Sequence, residues 1–233
     1  MSMVSLIIPF YNCEKTAAQT VNKVKDYLRL HKGIEFIAVN DGSTDGTLKV
    51  LKSLEGGHMR VVGYDKNKGK GGAIKEGVAA AKGDKIIFTD ADLAYGLEPI
   101  AEFADALEGA DIVVGTRRGD TDIARRYGVL RSAASKTFSA LCEAMLHLGL
   151  SDTQCGFKGF KAETAKKLFS ELSIMRFGFD FEILAMARQD KCLIKSVPVV
   201  LLNNSASSNV SLLSDGIKML CEVYSVRRKI RRR

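Results

Sequence analysis

Apolar residues along this chain recur at two spacings, and the order in which the spacings alternate predicts the architecture. Val4 to Pro9 is a short apolar, β-branched run that stops at Phe10-Tyr11-Asn12, as a buried strand does when it meets a loop. Val21, Val24 and Leu28 follow at helical spacing. Ile34 to Val39 is a second strand that breaks into Asn40-Asp41-Gly42-Ser43-Thr44-Asp45-Gly46, after which Leu48, Leu51 and Leu54 describe a helix. Arg60 to Tyr64 is a third strand, Lys66 to Gly72 a Gly/Lys loop, Ala73 to Ala81 a small-residue helix, and Lys85 to Thr89 a fourth strand. Strands that alternate with helices in this way pair in parallel and carry their helices on both faces of the sheet. The expected class is therefore α/β, with a Rossmann-like, mostly parallel central sheet.

The second half continues the pattern more loosely. A helix is expected around Glu98 to Leu107, a strand over Asp111 to Gly115, a polar loop at Thr116 to Asp120 and a long helix over Leu130 to Leu148. Ser151-Asp152-Thr153-Gln154-Cys155-Gly156-Phe157-Lys158 leads to a helix near Ala162 to Phe169 and another over Phe179 to Gln189. Leu193 to Leu202 is a late strand interrupted by Pro198, and Asn203 to Asn209 is a polar loop. Leu213, Ile217, Leu220 and Tyr224 place an apolar stripe on a last helix. No internal repeat is present.

Composition narrows the partners. At 233 residues and 46% hydrophobic, the chain can bury a substantial core, and it divides most simply into a domain over 1–209 and a C-terminal helix with a basic tail over 210–233. A formal charge of +8 favours anionic partners. The charge is grouped: Arg117, Arg118, Arg125, Arg126 and Arg131 in the middle, and Arg227, Arg228, Lys229, Arg231, Arg232 and Arg233 at the end. Cys13, Cys142, Cys155, Cys192 and Cys221 are odd in number and widely spaced, which argues against a disulfide framework or a zinc site and suits a reducing cytosol. No leader pattern and no apolar run of about 20 residues is seen, so membrane contact is expected to be peripheral, at the cytoplasmic face.

The chemistry concentrates after the strands. Residues two apart on an extended strand point the same way, so Asp90 and Asp92 are expected to present oxygens to one point past the fourth strand, where open α/β sheets hold ligands. Mg²⁺ takes one or two protein carboxylates and completes its shell with water and phosphate, so the pair suits a metal-diphosphate ligand; a solvated turn or helix cap is the plain alternative. Asp41 is a candidate for a ribose or base edge, and Lys68 and Lys70 for phosphate. Lys66-Asn67-Lys68-Gly69-Lys70-Gly71-Gly72 is not a P-loop, yet its amides and the following helix start could cradle a phosphate. Cys155 is either a nucleophile or a buried thiol, and Asp180 is readable as an ordinary helix N-terminal charge.

Taken together, Val4-Ser5-Leu6-Ile7-Ile8-Pro9-Phe10-Tyr11-Asn12, Asn40-Asp41-Gly42-Ser43-Thr44-Asp45-Gly46-Thr47, Asn67-Lys68-Gly69-Lys70-Gly71-Gly72-Ala73 and Asp90-Ala91-Asp92 resemble, in order and spacing, the GT-A family 2 glycosyltransferases. The second half resembles their polyprenyl-phosphate branch, particularly dolichyl-phosphate glucosyltransferases, through Gly115-Thr116-Arg117, Arg131, Asp152-Thr153-Gln154-Cys155-Gly156-Phe157-Lys158 and Phe179-Asp180-Phe181-Glu182. The resemblance implies a GT-A fold in which Pro9, Tyr11 and Asp41 hold the nucleoside. It further implies that Asp90, Ala91 and Asp92 meet the donor diphosphate with a divalent metal, Mg²⁺ or Mn²⁺, on the two carboxylates, and that Arg117 and Arg131 hold an acceptor phosphate. Asp152 would orient the arginines or the sugar, or else cap local structure; Gln154 and Lys158 either face the donor or make strand-end polar contacts. The implied reaction moves a hexose, with inversion, from a UDP-glucose or GDP-mannose type donor to polyprenyl or dolichyl phosphate. The chain departs from the family at Cys13 and Asn40, where Glu and Asp are usual, and at Asn204-Ser205-Ala206-Ser207-Ser208, where a Gly-Ser-Lys loop is usual. The competing readings are a family 2 transferase with a glycan or other soluble acceptor, and a non-catalytic protein that binds sugar nucleotide or polyanion. The basic tail suggests contact with an anionic membrane; the alternative is a helix packed on the core with a solvated tail. No nucleic acid is expected, since the tail carries no aromatic platform.

Overall fold

The structure is a computed structural model that describes residues 2–117, 142, 145–176, 178–202 and 214–233. Arg118, Arg125, Arg126 and Arg131, most of the helix expected over Leu130 to Leu148, the loop from Asn203 to Asn209, and Leu213 lie outside the described residues. In chain order the elements are β1 (Val4–Phe10), α1 (Glu14–Leu30), β2 (Ile34–Asp41), α2 (Thr47–Ser53), β3 (Met59–Tyr64), α3 (Lys70–Ala80), β4 (Lys85–Phe88), α4 (Pro99–Ala106) and β5 (Ile112–Thr116). After them come β6 (Lys158–Lys161), α5 (Ala162–Ser170), α6 (Phe179–Gln189), β7 (Ile194–Pro198) and α7 (Ser214–Ile230).

These strands form one seven-stranded sheet in the order β3-β2-β1-β4-β6-β5-β7. Only β6 runs against its neighbours, antiparallel to both β4 and β5, while the other pairs are parallel. The period of two along β1 divides the core: Val4, Leu6, Ile8 and Phe10 face one side and Ile7 the other. On the first face these side chains pack with Ala17, Val21, Val24 and Leu28 of α1, Leu51 of α2, and Ile100 and Phe103 of α4. On the second, Ile7, Ile37, Val39, Ile86 and Phe88 pack with Ile74 and Val78 of α3, Leu168 and Phe169 of α5, and Phe179, Phe181 and Leu184 of α6. Each Val, Leu, Ile or Phe among them contributes about 1.5–3 kcal/mol by leaving water, and the covering of both faces is what makes the strands read as unbroken apolar runs.

Four of the differences from expectation matter to the site. β2 runs two residues further, so Asn40 and Asp41 end the strand and do not begin the loop. α3 starts at Lys70, three residues early, which puts this lysine on the first helical turn. β4 stops at Phe88, and the following residues form a turn in which the Leu93 amide donates to the Asp90 carbonyl (3.0 Å) with Leu93 at φ +49°. Asp90 and Asp92 are therefore turn residues, and strand alternation is not what orients them. The fourth is β6, whose Lys-Gly-Phe-Lys composition has no β-branched residue; it becomes a strand because β4 and β5 leave a gap that its backbone bridges.

Candidate active site

The site assembles where the parallel strands end. Asp41, at the end of β2, is 4% exposed, and its carboxylate collects donors from the next loop. Tyr64 Oη donates to it at 2.6 Å, Asn67 Nδ2 at 2.8 Å, and the amides of Lys68 and Gly69 at 2.9 and 3.0 Å. Burial and the Asp41 carboxylate raise the Tyr64 phenol, so it stays protonated as a donor. Gly69, at φ +96°, lets the backbone approach Met175 where a Cβ would meet the Met175 carbonyl at 2.8 Å, and the Gly72 amide donates to the same oxygen at 3.0 Å. The amides of Lys68, Gly69 and Gly72 are thus already donated to the protein. A phosphate cradle built on these three amides is not what the loop forms. The loop's lysine side chains are a further means of meeting an anion.

Among those side chains, Lys70 is turned to Asp90, with Nζ 2.5 Å from Oδ1. Asp92 is exposed, and its Oδ1 accepts the Ala94 amide at 3.1 Å. The turn is pinned from α1, where the Thr20 hydroxyl donates to the Ala91 carbonyl at 2.7 Å. Behind Lys70 lies Asp180, on the first turn of α6, and Lys158 Nζ lies 2.6 Å from Asp180 Oδ1. That contact is an ion pair off the line of a hydrogen bond, since Asp180 Oδ1 has no hydrogen-bond donor. Lys158 is 1% exposed and donates to the Cys155 carbonyl at 2.6 Å, so its ammonium faces the interior and not an open donor cleft. Burial pushes the Asp180 carboxyl up, against the pull of Lys158 and Lys70. For Lys70, burial lowers and Asp90 and Asp180 raise, with the net effect upward.

The arginine side is built as tightly. Arg117 grips Asp152 bidentately, Nε to Oδ2 at 2.7 Å and an Nη to Oδ1 at 2.9 Å, and the Arg117 amide adds a bond to Oδ2 at 3.2 Å. Burial alone would raise Asp152; the guanidinium holds its carboxyl below the ordinary range. Asp152 also accepts the Gln154 amide at 3.3 Å. Cys155 is fully buried and burial raises its thiol, with the Tyr95 hydroxyl as a hydrogen-bonding neighbour. That is the inert state of a cysteine. The two halves meet because Lys158 pairs with Phe88 on one side and Val114 on the other, so Asp90 and Arg117 flank the Asp152–Phe157 segment at one end of the sheet. Pro9 is half-buried at the end of β1, and Tyr11 beyond it is 49% exposed.

Among the described residues no group of three or more His, Cys, Asp or Glu gathers to hold a metal by itself, so two hard carboxylate donors in one turn match a cation that takes the rest of its shell from phosphate and water. The cradle is real in shape: a Cβ at Gly156 would collide with Asp90 Oδ2. Asp90 and Asp92 fit a divalent metal on these grounds.

Sequence reasoning missed Tyr95, Thr20 and the pairing role of Asp180. Thr20 carried a signal, a hydroxyl inside the buried stripe of α1; Tyr95 carried none. It named Glu182 within a motif but missed its role as a fully buried anchor, which accepts from the Ser173 amide (3.1 Å), the Ser173 hydroxyl (2.6 Å), the Ile174 amide (2.7 Å) and Lys229 Nζ (2.5 Å). The basic tail is consequently not free. α7 packs through Val223, Val226 and Ile230, while Arg233 pairs with Asp190 at 2.8 Å and Glu171 at 2.9 Å. Tyr224, Arg228, Arg231 and Arg232 remain exposed.

A mixed sheet with its polar residues gathered at this end is the GT-A arrangement of sugar-transferring enzymes. The Mycobacterium tuberculosis glucosyl-3-phosphoglycerate synthase, in complex with Mn²⁺, UDP and glucosyl-3-phosphoglycerate, has this fold: TM-score 0.67 at 19% identity, over 97% of this chain and 80% of that one. The glycosyl transferase family 2 profile matches residues 5–169. The chain belongs to that family and is a glycosyltransferase. Among its relatives, the dolichyl-phosphate β-glucosyltransferase of Dictyostelium discoideum is 29% identical over 96% of this chain and 73% of its own length. The Homo sapiens enzyme of that name is 32% identical over 84% of this chain and 66% of its own length.

Proposed function

We propose that the chain transfers glucose from UDP-glucose to a polyprenyl or dolichyl phosphate with inversion at the anomeric carbon. The relatives' names supply the sugar and acceptor, and the UDP complex of a structural neighbour supplies the nucleotide. The observation that carries the reading is the juxtaposition of the Asp90 turn and the Asp152-clamped Arg117 across one short segment. An acceptor phosphate oxygen bonds to the anomeric carbon as the bond from that carbon to the diphosphate breaks. A phosphomonoester, with a second pKa of about 6, is largely dianionic at neutral pH, so the nucleophile needs no strong base. The protein's work is to bring two anions together and hold them in line.

Arg117 suits the incoming phosphate because Asp152 has already fixed its planar fork, so little side-chain freedom is left to lose on binding. Lys70 and Lys68 are the side-chain cations for the diphosphate. A divalent metal, Mg²⁺ or Mn²⁺, on Asp90 and Asp92 would neutralise charge on the departing nucleotide. Arg131 is assigned to the acceptor phosphate with Arg117, and Pro9, Tyr11 and Asp41 to the nucleoside end, with Asp41 acting as the anchor of the Lys66–Gly69 loop.

The lipid part of the acceptor has a matching surface. Past β7 the chain alternates buried Val199 and Leu201 with Val200 (68% exposed) and Leu202 (58% exposed), and the Val199 amide donates to the Thr116 carbonyl beside Arg117. Among the described residues no helix is long and apolar enough to cross a membrane. The exposed Tyr224 and Arg228 of α7, with Arg231 and Arg232 just past its end, supply peripheral contact with an anionic, cytoplasm-facing bilayer at about 1 kcal/mol per cation near the surface. A soluble phosphorylated acceptor is the second reading, favoured by the phosphoglycerate product in the structural neighbour.

Transfer of labelled glucose from UDP-glucose to polyprenyl phosphate and to 3-phosphoglycerate, side by side, decides between the acceptors. Arg117→Lys is expected to cut lipid-phosphate transfer at least about tenfold while leaving UDP affinity unchanged; loss of UDP binding would place Arg117 on the donor. Changing Arg228, Arg231 and Arg232 to Gln should weaken co-sedimentation with anionic liposomes at low salt. Deleting the whole tail is the wrong test, because it also removes Lys229 and Arg233 from their carboxylates.

A further inference from the structure

We propose that Lys70 is the resident counter-ion of Asp90 and that a divalent cation reaches this carboxylate by displacing it, so that cation and donor diphosphate bind together. The inference rests on Asp90 and Asp92 being metal ligands and adds what controls their occupation. Lys70 Nζ is 2.5 Å from Asp90 Oδ1, and the two side chains are 19% and 36% exposed, so the pair is only partly screened by water. Lys70 is held there from both ends. Its backbone opens α3, whose start is clamped to the Met175 carbonyl through the Gly72 amide, and Asp90 lies close against Gly156, where any side chain would collide with its carboxylate.

A second carboxylate lies behind the first. Asp180 is buried, lies within electrostatic reach of Lys70, and is paired at 2.6 Å with Lys158, whose ammonium also donates to the Cys155 carbonyl. Lys70 released from Asp90 therefore remains beside an anion, and the exchange needs no exposure of a bare ammonium to the apolar core. A lone dication approaching Asp90 meets a positive charge at ion-pair range and is disfavoured. A diphosphate arriving with it reverses that sign and offers Lys70 phosphate oxygens in place of Asp90. The lysine thus couples the two ligands, excluding free metal and favouring metal bound to diphosphate.

The test titrates Mn²⁺ alone into the intact chain, reading free Mn²⁺ by electron paramagnetic resonance. Lys70→Met and Lys70→Gln are both expected to bind Mn²⁺ about tenfold tighter than wild type, and Lys70→Arg to bind like wild type. The Gln variant keeps a polar group in the position should Met disturb packing, and circular dichroism reports folding for each. UDP affinity measured with Mn²⁺ present should fall in both neutral variants. Equal Mn²⁺ affinity in wild type, Lys70→Met and Lys70→Gln overturns the proposal. A separate outcome would reach the reading beneath it: adding Asp92→Asn to Lys70→Met must abolish the tight Mn²⁺ binding. Persistence of that binding would show that these carboxylates are not the metal's ligands.

Discussion

Asp180 and Glu182 stand two residues apart on the first turn of α6, both carboxylates and both buried, and their surroundings have nothing in common. At 3.6 residues per turn they point about 200° apart, so one faces the sheet end and the other faces α7. Asp180 is met by Lys158 and Lys70 but has an oxygen without a hydrogen-bond donor, and burial leaves its carboxyl raised. Glu182 is met by Lys229 and by Ser173 and Ile174, and those donors hold its carboxyl below the ordinary range despite burial. Glu182 is a satisfied structural anchor, whereas Asp180 belongs to a charge cluster left partly unsatisfied beside the candidate site. Strain of that kind is tolerated where ligands bring further charge.

Lys158 is where the two carboxylates differ most. Lys158→Met leaves Asp180 buried without its nearest cation and is expected to cost about 3–5 kcal/mol in urea unfolding. The double variant Lys158→Met with Asp180→Leu should recover most of that loss, because the pair replaced by apolar side chains no longer carries a desolvated charge. Failure to recover would mean that Lys158 supports the fold through its bond to the Cys155 carbonyl.

Next in size is Asp92→Asn. This residue is exposed and its amide replacement can still accept the Ala94 amide, so unfolding should be unchanged while kcat for glucose transfer falls about 10²-fold or more. A parallel loss of stability would move Asp92 from chemistry to structure.

Glu182→Gln sharpens the other side. It should cost about 1–3 kcal/mol at neutral pH, since Lys229 loses its charge partner and one oxygen no longer accepts. The folded pKa of Glu182 lies below its unfolded value, so its contribution is complete above the unfolded pKa and is lost as pH falls through the folded one. The gap between wild type and Glu182→Gln should therefore close on acidification below about pH 4.3, which urea midpoints across pH 7 to 3 would show. The smallest effect belongs to Arg233→Ala, which removes exposed ion pairs to Asp190 and Glu171 and should cost below about 1 kcal/mol, with the difference fading in 1 M salt.

Much of this molecule was legible in its sequence for a local reason. β1 to β5 and the helices between them are periodic segments whose apolar spacing is set by which faces are covered, and Asp-x-Asp and Asp41 stand where strands give way to turn residues. Tertiary structure decided what local pattern could not express. Lys158-Gly159-Phe160-Lys161 is a strand only because two distant strands flank it, and the turn after β4, not strand alternation, sets Asp90 and Asp92. Asp180 and Glu182 look alike in sequence and differ because helix geometry sends them to different neighbours. The terminal cations look like a tail in sequence, yet Lys229 and Arg233 are tied to Glu182, Glu171 and Asp190, because an ion pair depends on distance in space and sequence spacing carries no record of which carboxylates the fold brings near.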